Sequence, residues 1–517
     1  MAINSADRPE TAAPNRLNIL EKPAELAFAL VFLGLSLNHF QNNLDSIFRS
    51  CDTAWLIKTG HYIFQHGIPA TDPFSYTAAG KTLVIYQWLY TLILAVLYSS
   101  GGLWLVGLFT CAILAVIFFW LLPAMMLRQR VKPVYIFGLL TLIAAPPWFW
   151  ARPQLLSFLF VAIFAILLED YRQSGRTLQI KHWLLPLLMV LWANLHSFWF
   201  IGLAMIIVYL LADVFDFPDH GAVIDKSQRK KHLTLLGLCL LAPLVNPYGI
   251  NLIAYNLAFL TQPDFGRIRE LQPYLIAYPA MEVRILIYMV LAVIVIICGR
   301  RAVPTAGLIL SATGICGALL FYRFVPIAIL LSWPYLGLAL SRLPGCADGS
   351  RSGNPRWALP AAMLSVLVAG LMYSHHFPVP NQVNFTYLNS NEKAVAFIKE
   401  HPQLKEKMFC DGAVGSSMIL ADLQPVFLDT RFDFYGQDFC RRCYDCLNAV
   451  SNWRSDIQAW GSRSICISND WPLYQELRAS SWLPVFDDNN CSIWLPNTAP
   501  NKLLCEQIRS DKRNKKQ

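Results

Sequence analysis

The sequence predicts a polytopic α-helical membrane protein of about eleven transmembrane helices, with a small extracytoplasmic α/β domain at its C-terminal end. Three observations point there. Of 517 residues, 55% are hydrophobic and only 15% charged, with a mean hydropathy of +0.42, an apolar excess that needs lipid as its solvent. The excess is gathered in runs such as AELAFALVFLGLSL, LVGLFTCAILAVIFFWLLPAMML and ILIYMVLAVIVIIC, the centres of segments of about twenty residues that would cross the hydrocarbon as helices. From about Pro378 onward the sequence turns mixed and polar. The chain is thus expected to divide into a multispan region, 1–375, and a soluble domain, 376–517.

The formal charge of +9 sits in short clusters between apolar runs and in a terminal KRNKK, a distribution that fits membrane topology rather than nucleic acid. Membrane lipids, and no nucleic acid, are the partners it implies. The first apolar run begins near Ala24 and leads into NHFQNN without a small-x-small cleavage site, so it is expected to stay as a permanent span. The basic loops RQRVK (128–132), DYRQSGRTLQIK (170–181), KSQRKK (226–231), GRR (299–301) and 341–356 belong on the cytoplasmic side by the positive-inside rule. Spans that satisfy this fall near 24–41, 104–127, 134–150, 153–168, 183–197, 198–214, 233–250, 283–299, 303–321, 324–341 and 357–374. The N-terminus is then cytoplasmic and the tail outside. Segment 83–98 (LVIYQWLYTLILAVLY) is apolar enough to cross but would reverse every later loop, so an interfacial or re-entrant helix is expected there. The long external loops become 41–82 and 251–282, a length that is usually functional.

In the tail, 391–399 and 436–450 read as helical, and MFCD (408–411), VFLD (426–429), SICIS (464–468) and CSIWLP (491–496) as extended. No G-x-G-x-x-G at a strand-to-helix turn and no P-loop occurs, which leaves nucleotide binding without support. Seven of thirteen cysteines fall in this tail. Cys440, Cys443 and Cys446 form a CxxCxxC run that suits either a metal or redox site, or one or two disulfides with a thiol left over. No second Cys/His pair stands at zinc-like spacing.

Loop 41–82 holds the candidate chemistry. After Asp52, apolar Trp55, Leu56, Tyr62 and Ile63 recur at near-helical spacing, so Asp52 reads either as the N-cap of a short amphipathic helix or as a general base at the water–lipid boundary. Asp72, before Pro73, reads as a turn former or a binding group. Arg152 and Arg323 fall at the outer ends of spans, where a guanidinium can grip phosphate through paired hydrogen bonds or snorkel to the interface. Asn194 and His196 sit at a tight junction of two spans, placed for interhelical hydrogen bonds or for substrate. Tyr248, after Asn246 and Pro247, is a binding group or an interfacial anchor.

The pattern D-x-x-W-x-x-x-T-G-x-x-I-x-x-x-G-I-P-x-T-D-P-F-S-Y-T, starting at Asp52, resembles the first external loop of bacterial membrane proteins assigned to the C-type (GT-C) glycosyltransferase superfamily. ARPQ at 151–154, WANLH at 192–196, NPYG at 246–249, FYRFVP around Arg323 and VFLDTRFDFYG at 426–436 extend the resemblance along nearly the whole chain. The group includes protein mannosyltransferases and aminoarabinose transferases. The resemblance implies a GT-C-like fold in a bacterial inner membrane and a polyprenyl-phosphate sugar as donor. It also implies an extracytoplasmic glycan, lipid or protein as acceptor, and Asp52 as catalytic base. Arg152, Arg323, Asp72, His196 and Tyr248 are the expected substrate-binding residues. No cofactor is required by the pattern, with a divalent metal ion as the one candidate. The chain departs from the group at Ser50, where an acid is often found, and at Tyr86, Gln87 and Trp88, where His-Glu-Trp is usual. Both departures weaken a two-carboxylate or metal-assisted mechanism. A transporter, or a non-catalytic envelope scaffold on the same fold, are the rival expectations.

Overall fold

The structure is a computed structural model that describes residues 51–132, 150–175, 177–215, 226–260, 283–344, 391–450 and 452–514, with a few isolated positions between them. The expected spans at 24–41 and 357–374, most of the one at 134–150, Ser50, and most of loop 251–282 lie outside the described residues.

Helix α1 (Asp52–His66) follows the start of the first loop and buries Trp55, Leu56 and Ile63. It lies against α2 (Trp88–Ala115) at Gly60, where a Cβ would stand 2.0 Å from the carbonyl oxygen of Thr91. Only a glycine permits backbones that close. Helix α2 runs through a π-helical stretch, Val116–Leu121, into α3 (Leu122–Arg128), making one helical run of 41 residues from Trp88 to Arg128. The run is broken at Gly101 and Gly102, the latter at φ +63° and ψ −159°, a conformation open to glycine alone. The break separates the stretch expected at the interface from the span expected at 104–127.

Further along come α4 (Gln154–Gln173), α5 (Leu184–Leu195), α6 (Trp199–Phe215), α7 (Lys226–Leu241), α8 (Ile250–Leu260), α9 (Val283–Cys298), α10 (Thr305–Leu320) and α11 (Val325–Leu340). Their positions follow most of the expected spans, but the count of eleven is not met among the described residues. Three helical runs there are long and apolar enough to cross a membrane: Trp88–Arg128, Gln154–Gln173 and Tyr322–Leu340. Others, such as α5 and α10, have 12 and 16 residues, or roughly 18–24 Å at 1.5 Å per residue, short of a hydrocarbon core of about 30 Å. Residues 251–260, expected to open an external loop, lie in α8 instead.

Outward faces support lipid contact. Ile287, Val290, Leu291, Ile294 and Ile297 all point out of α9, as do Leu187 and Leu191 of α5. In water each such side chain would forgo burial worth about 1.5–3 kcal/mol.

Charged loops gather at one end of the helices. Arg128 and Gln129 line the same cleft as Glu169, Asp170 and Gln173. Val131 bridges Ala347, and Lys132 N donates to Cys346 O. Arg152 stands at the opposite end of α4, some 30 Å away over its 20 residues.

The tail contributes α12 (Glu392–Glu400), β1 (Met408–Cys410), α13 (Gly412–Leu420), α14 (Phe432–Tyr435), α15 (Gln437–Leu447), α16 (Trp453–Ala459), β2 (Ser464–Ser468), α17 (Pro472–Ala479), β3 (Leu483–Asp487), β4 (Cys491–Leu495) and α18 (Ala499–Asn514). The strands form one sheet of order β1-β2-β4-β3, parallel between β1 and β2 and antiparallel elsewhere. Strand β3 was not expected. The expected strand at 426–429 is absent from this sheet, because its backbone partners are in the first loop: Val426 N donates to Phe74 O at 2.8 Å, and Tyr76 N to Val426 O at 3.0 Å.

The CxxCxxC run lies on α15, and the three thiols, spaced by three residues, face the core. Burial pushes Cys440 and Cys446 up to about 12, which makes them inert apolar contacts. No cysteine is disulfide-bonded. The sulfurs of Cys466 and Cys491, on β2 and β4, approach to 3.6 Å as thiols. Among the described residues no group of three His, Cys, Asp or Glu could hold a metal ion.

Candidate active site

Four elements distant in sequence converge on the N-terminal end of α1. The N-cap of this helix is Cys51, with no side-chain cap bond, so Asp52 is the first helical residue and not the cap. Its carboxylate turns away from the backbone. Oδ2 meets Nε of Arg152 at 3.0 Å, and Oδ1 accepts from Nε1 of Trp55 at 3.3 Å and from the hydroxyl of Thr430. Side chains at 22% and 18% exposure for Asp52 and Arg152 leave this pair sheltered but reachable. The guanidinium of Arg152 also lies 4.4 Å from the ring centre of Trp150, a cation–π contact.

Arg323 joins from the turn before α11. Its Nη2 donates to Oε1 of Gln154 at 3.2 Å, and its buried Nε has no partner among the described residues. Gln154 is two residues past Arg152, which brings the two guanidinium-bearing turns side by side. Tyr86 completes the cluster. Its hydroxyl is raised by burial and by the charges of Asp433 and Asp52, against which Arg323 and Arg152 act. The tyrosine therefore stays protonated among two carboxylates and two cations.

Asp433, from α14 of the tail, accepts from the hydroxyl of Tyr255 on α8 at 2.9 Å. Burial holds its carboxyl above the ordinary range, and the charge of Asp52 adds to the shift. The two acids stand in different settings: Asp52 is paired with Arg152, and Asp433 is biased toward its protonated form.

No protein-family model matches the chain, and no curated protein matches it.

The remaining expected site residues hold the frame. Asp72 accepts from the backbone of Phe74 at 3.3 Å and of Ser75 at 3.0 Å, and pairs with Nη1 of Arg431 at 2.7 Å. Arg431 is itself clamped by Asp429, whose Oδ2 also accepts from Tyr435 at 2.8 Å. His196 Nδ1 lies 2.8 Å from the hydroxyl of Ser157, which also accepts from Trp192, and the His196 ring faces Tyr86 at 6.3 Å. Tyr248 accepts from the backbone N–H of Ile85 at 2.9 Å, fixing the residue next to Tyr86. Asn194 accepts from Trp88 at 2.7 Å and donates to the carbonyls of Val190 and Val245.

Asp52, Arg152 and Arg323 are therefore brought together, with His196 and Tyr248 behind Tyr86 and Asp72 in the seam with the tail. Thr430, Asp433 and Tyr255 were missed as site residues. The signal available was the segment VFLDTRFDFYG, which crowds Asp, Arg and Asp among aromatics in a soluble tail. The donor set fits a divalent metal poorly: Asp52 already faces a cation and two neutral donors, and among the described residues no group of three His, Cys, Asp or Glu could hold a metal ion there.

Proposed function

We propose that the chain is a membrane glycosyltransferase that moves a hexosyl or pentosyl group from a polyprenyl phosphate to a hydroxyl-bearing acceptor on the outer face of a bacterial inner membrane, within a multispan GT-C-like fold. The observation that carries this reading is the Asp52–Arg152 pair, set beside the buried Nε of Arg323 at one end of the helices. An anionic donor phosphate needs cations, and Arg323 has a donor in hand. Phosphate arriving at Arg152 competes with Asp52 for the guanidinium and frees Oδ2 as a proton acceptor.

In the transfer, the acceptor O–H gives its proton to Asp52 while its oxygen bonds to the anomeric carbon. The bond from that carbon to the phosphate oxygen breaks, and its electron pair leaves on the phosphate, where Arg152 and Arg323 meet the new charge. Gathering of the basic loops at the opposite end of the helices supports the cytoplasmic placement of that end.

A second reading is a non-catalytic envelope scaffold, favoured by one observation: both oxygens of Asp52 are already engaged within the protein. Asp52→Asn separates the two. Asn keeps an acceptor for Thr430 and Trp55 but cannot take a proton. In a deletion strain, the wild-type gene should relieve accumulation of an unused polyprenyl-phosphate sugar. Asp52→Asn should cut that turnover by at least about a hundredfold. Turnover near wild type from an Asn variant of normal abundance would favour the scaffold.

A further inference from the structure

The tail has a cleft of its own, about 320 Å³ in volume, within the roughly 300–1,000 Å³ usual for small-molecule sites. It opens at the carboxyl ends of the two parallel strands, where Asp411 follows β1 and Asp470 follows β2, the position at which open α/β sheets bind their ligands. Three half-buried aromatic rings line it in sequence: Phe432 and Tyr444 are 5.6 Å apart, and Tyr444 and Trp471 5.8 Å apart at 67°. Asp411 is fully engaged by the backbones of Ala413, Val414 and Ser468, so it builds the wall. Asp470 is exposed and free to accept beyond its weak contact with Ser468 at 3.4 Å. No Lys or Arg lines the cleft among the described residues. Thr430 does, and its hydroxyl reaches Asp52.

The geometry points to a carbohydrate subsite, in which a neutral or amino-sugar ring lies on the Tyr444 and Trp471 faces with its hydroxyls on Asp470. Aromatic faces pair with the C–H surfaces of a sugar, a carboxylate accepts from its hydroxyls, and the absence of cations turns away phosphorylated or acidic chains. Because Thr430 belongs to both sites, the cleft leads a glycan to Asp52 and is the acceptor subsite. That role rests on the transferase reading, whereas sugar binding in the cleft does not.

The test uses the full chain in detergent and isothermal titration with tetrasaccharides of glucose, N-acetylglucosamine, galactose and mannose. Tetralysine and inorganic phosphate serve as contrasting probes. At least one tetrasaccharide should bind saturably. Tyr444→Ala, Trp471→Ala and Asp470→Asn should each weaken it about tenfold or more, and Trp482→Ala, outside the cleft, should leave it unchanged. Trp471→Phe should restore part of the affinity and controls for a collapsed cleft. Binding of no tetrasaccharide, binding indifferent to Tyr444 and Trp471, or binding of tetralysine or phosphate instead would each overturn the subsite. Asp52→Asn keeps the two proposals apart. If turnover survives that substitution while sugar still binds, the transferase reading fails and the subsite stands. If turnover needs Asp52 and no sugar binds, the subsite alone fails.

Discussion

Thr430 carries a hydroxyl from the tail to Oδ1 of Asp52, and a hydrogen bond to a charged group contributes about 1.5–3 kcal/mol. Thr430→Val should therefore lower turnover roughly 10- to 100-fold, whereas Thr430→Ser, which keeps the donor, should restore most of it. Lipid-linked sugar turnover in the complemented deletion strain measures both. Arg431 has a different task. It is buried between Asp72 and Asp429, and Arg431→Met would strand two carboxylates, at a cost of about 3–5 kcal/mol for a broken buried pair. The expected result is a tail cut by protease at temperatures where the wild type resists. Asp433 gives the pH test. Its carboxyl is raised on folding, so above the ordinary carboxylate range the folded chain holds more protons than the unfolded chain. Stability contributed by this group is present at low pH and falls as pH rises through the raised value. Against wild type, Asp433→Asn should gain melting temperature at about pH 7 and gain little near pH 4. A gain that grows toward low pH would reverse the sign of the argument.

Among the elements, α13 shows how closely the tail is seated. A Cβ on Gly415 would lie 1.7 Å from the carbonyl oxygen of Leu428, and α13 also packs on α1. Gly415→Ala must push α13 off the 426–430 segment, with an overpacking cost of about 1–3 kcal/mol and loss of the Thr430 contact. Turnover should fall although every polar site residue is intact, and a double variant with Thr430→Val should lose less than the two single losses combined, because both remove the same contact. Helices such as α4, α9 and α12 were legible because apolar runs and a 3.6-residue period are local. So were β1, β2 and β4. Strand β3 was not, since LPVFD carries a proline and is flanked by turn-rich SSW and DNN. VFLD looked like a strand but makes a single bridge, from Val426 to Ser75 in a loop some 350 residues earlier, and no local pattern announces that. The interfacial reading of 83–98 rested on charge balance alone. Local sequence did carry the break in the helical run that follows Gln87, in the glycine pair at 101 and 102.

At the scale of the molecule, the basic loops, as α3, α4 and the turn at 346–347 present them, share one end, and Asp52, Arg152 and Arg323 the other. Reporter fusions after Arg301 and after Asn514 should give opposite compartments, the second external; two cytoplasmic signals would defeat this orientation. The candidate base and its two arginines were readable because each stands at a helix end in a motif. The seam was not readable: Lys58 to Asp422, Thr77 to Phe427 and Lys81 to the carbonyls of Phe434 and Tyr435 join residues whose proximity only folding creates. That seam also sets an order in time. A ribosome finishes the helices, the first loop and Arg152 long before it reaches Thr430, so for much of synthesis Asp52 lacks its third support. The chain in that interval has its helices but neither the Thr430 contact nor the cleft of the tail. On the transferase reading proposed above, this schedule would hold transfer low until the tail closes over the first loop and Thr430 reaches Asp52.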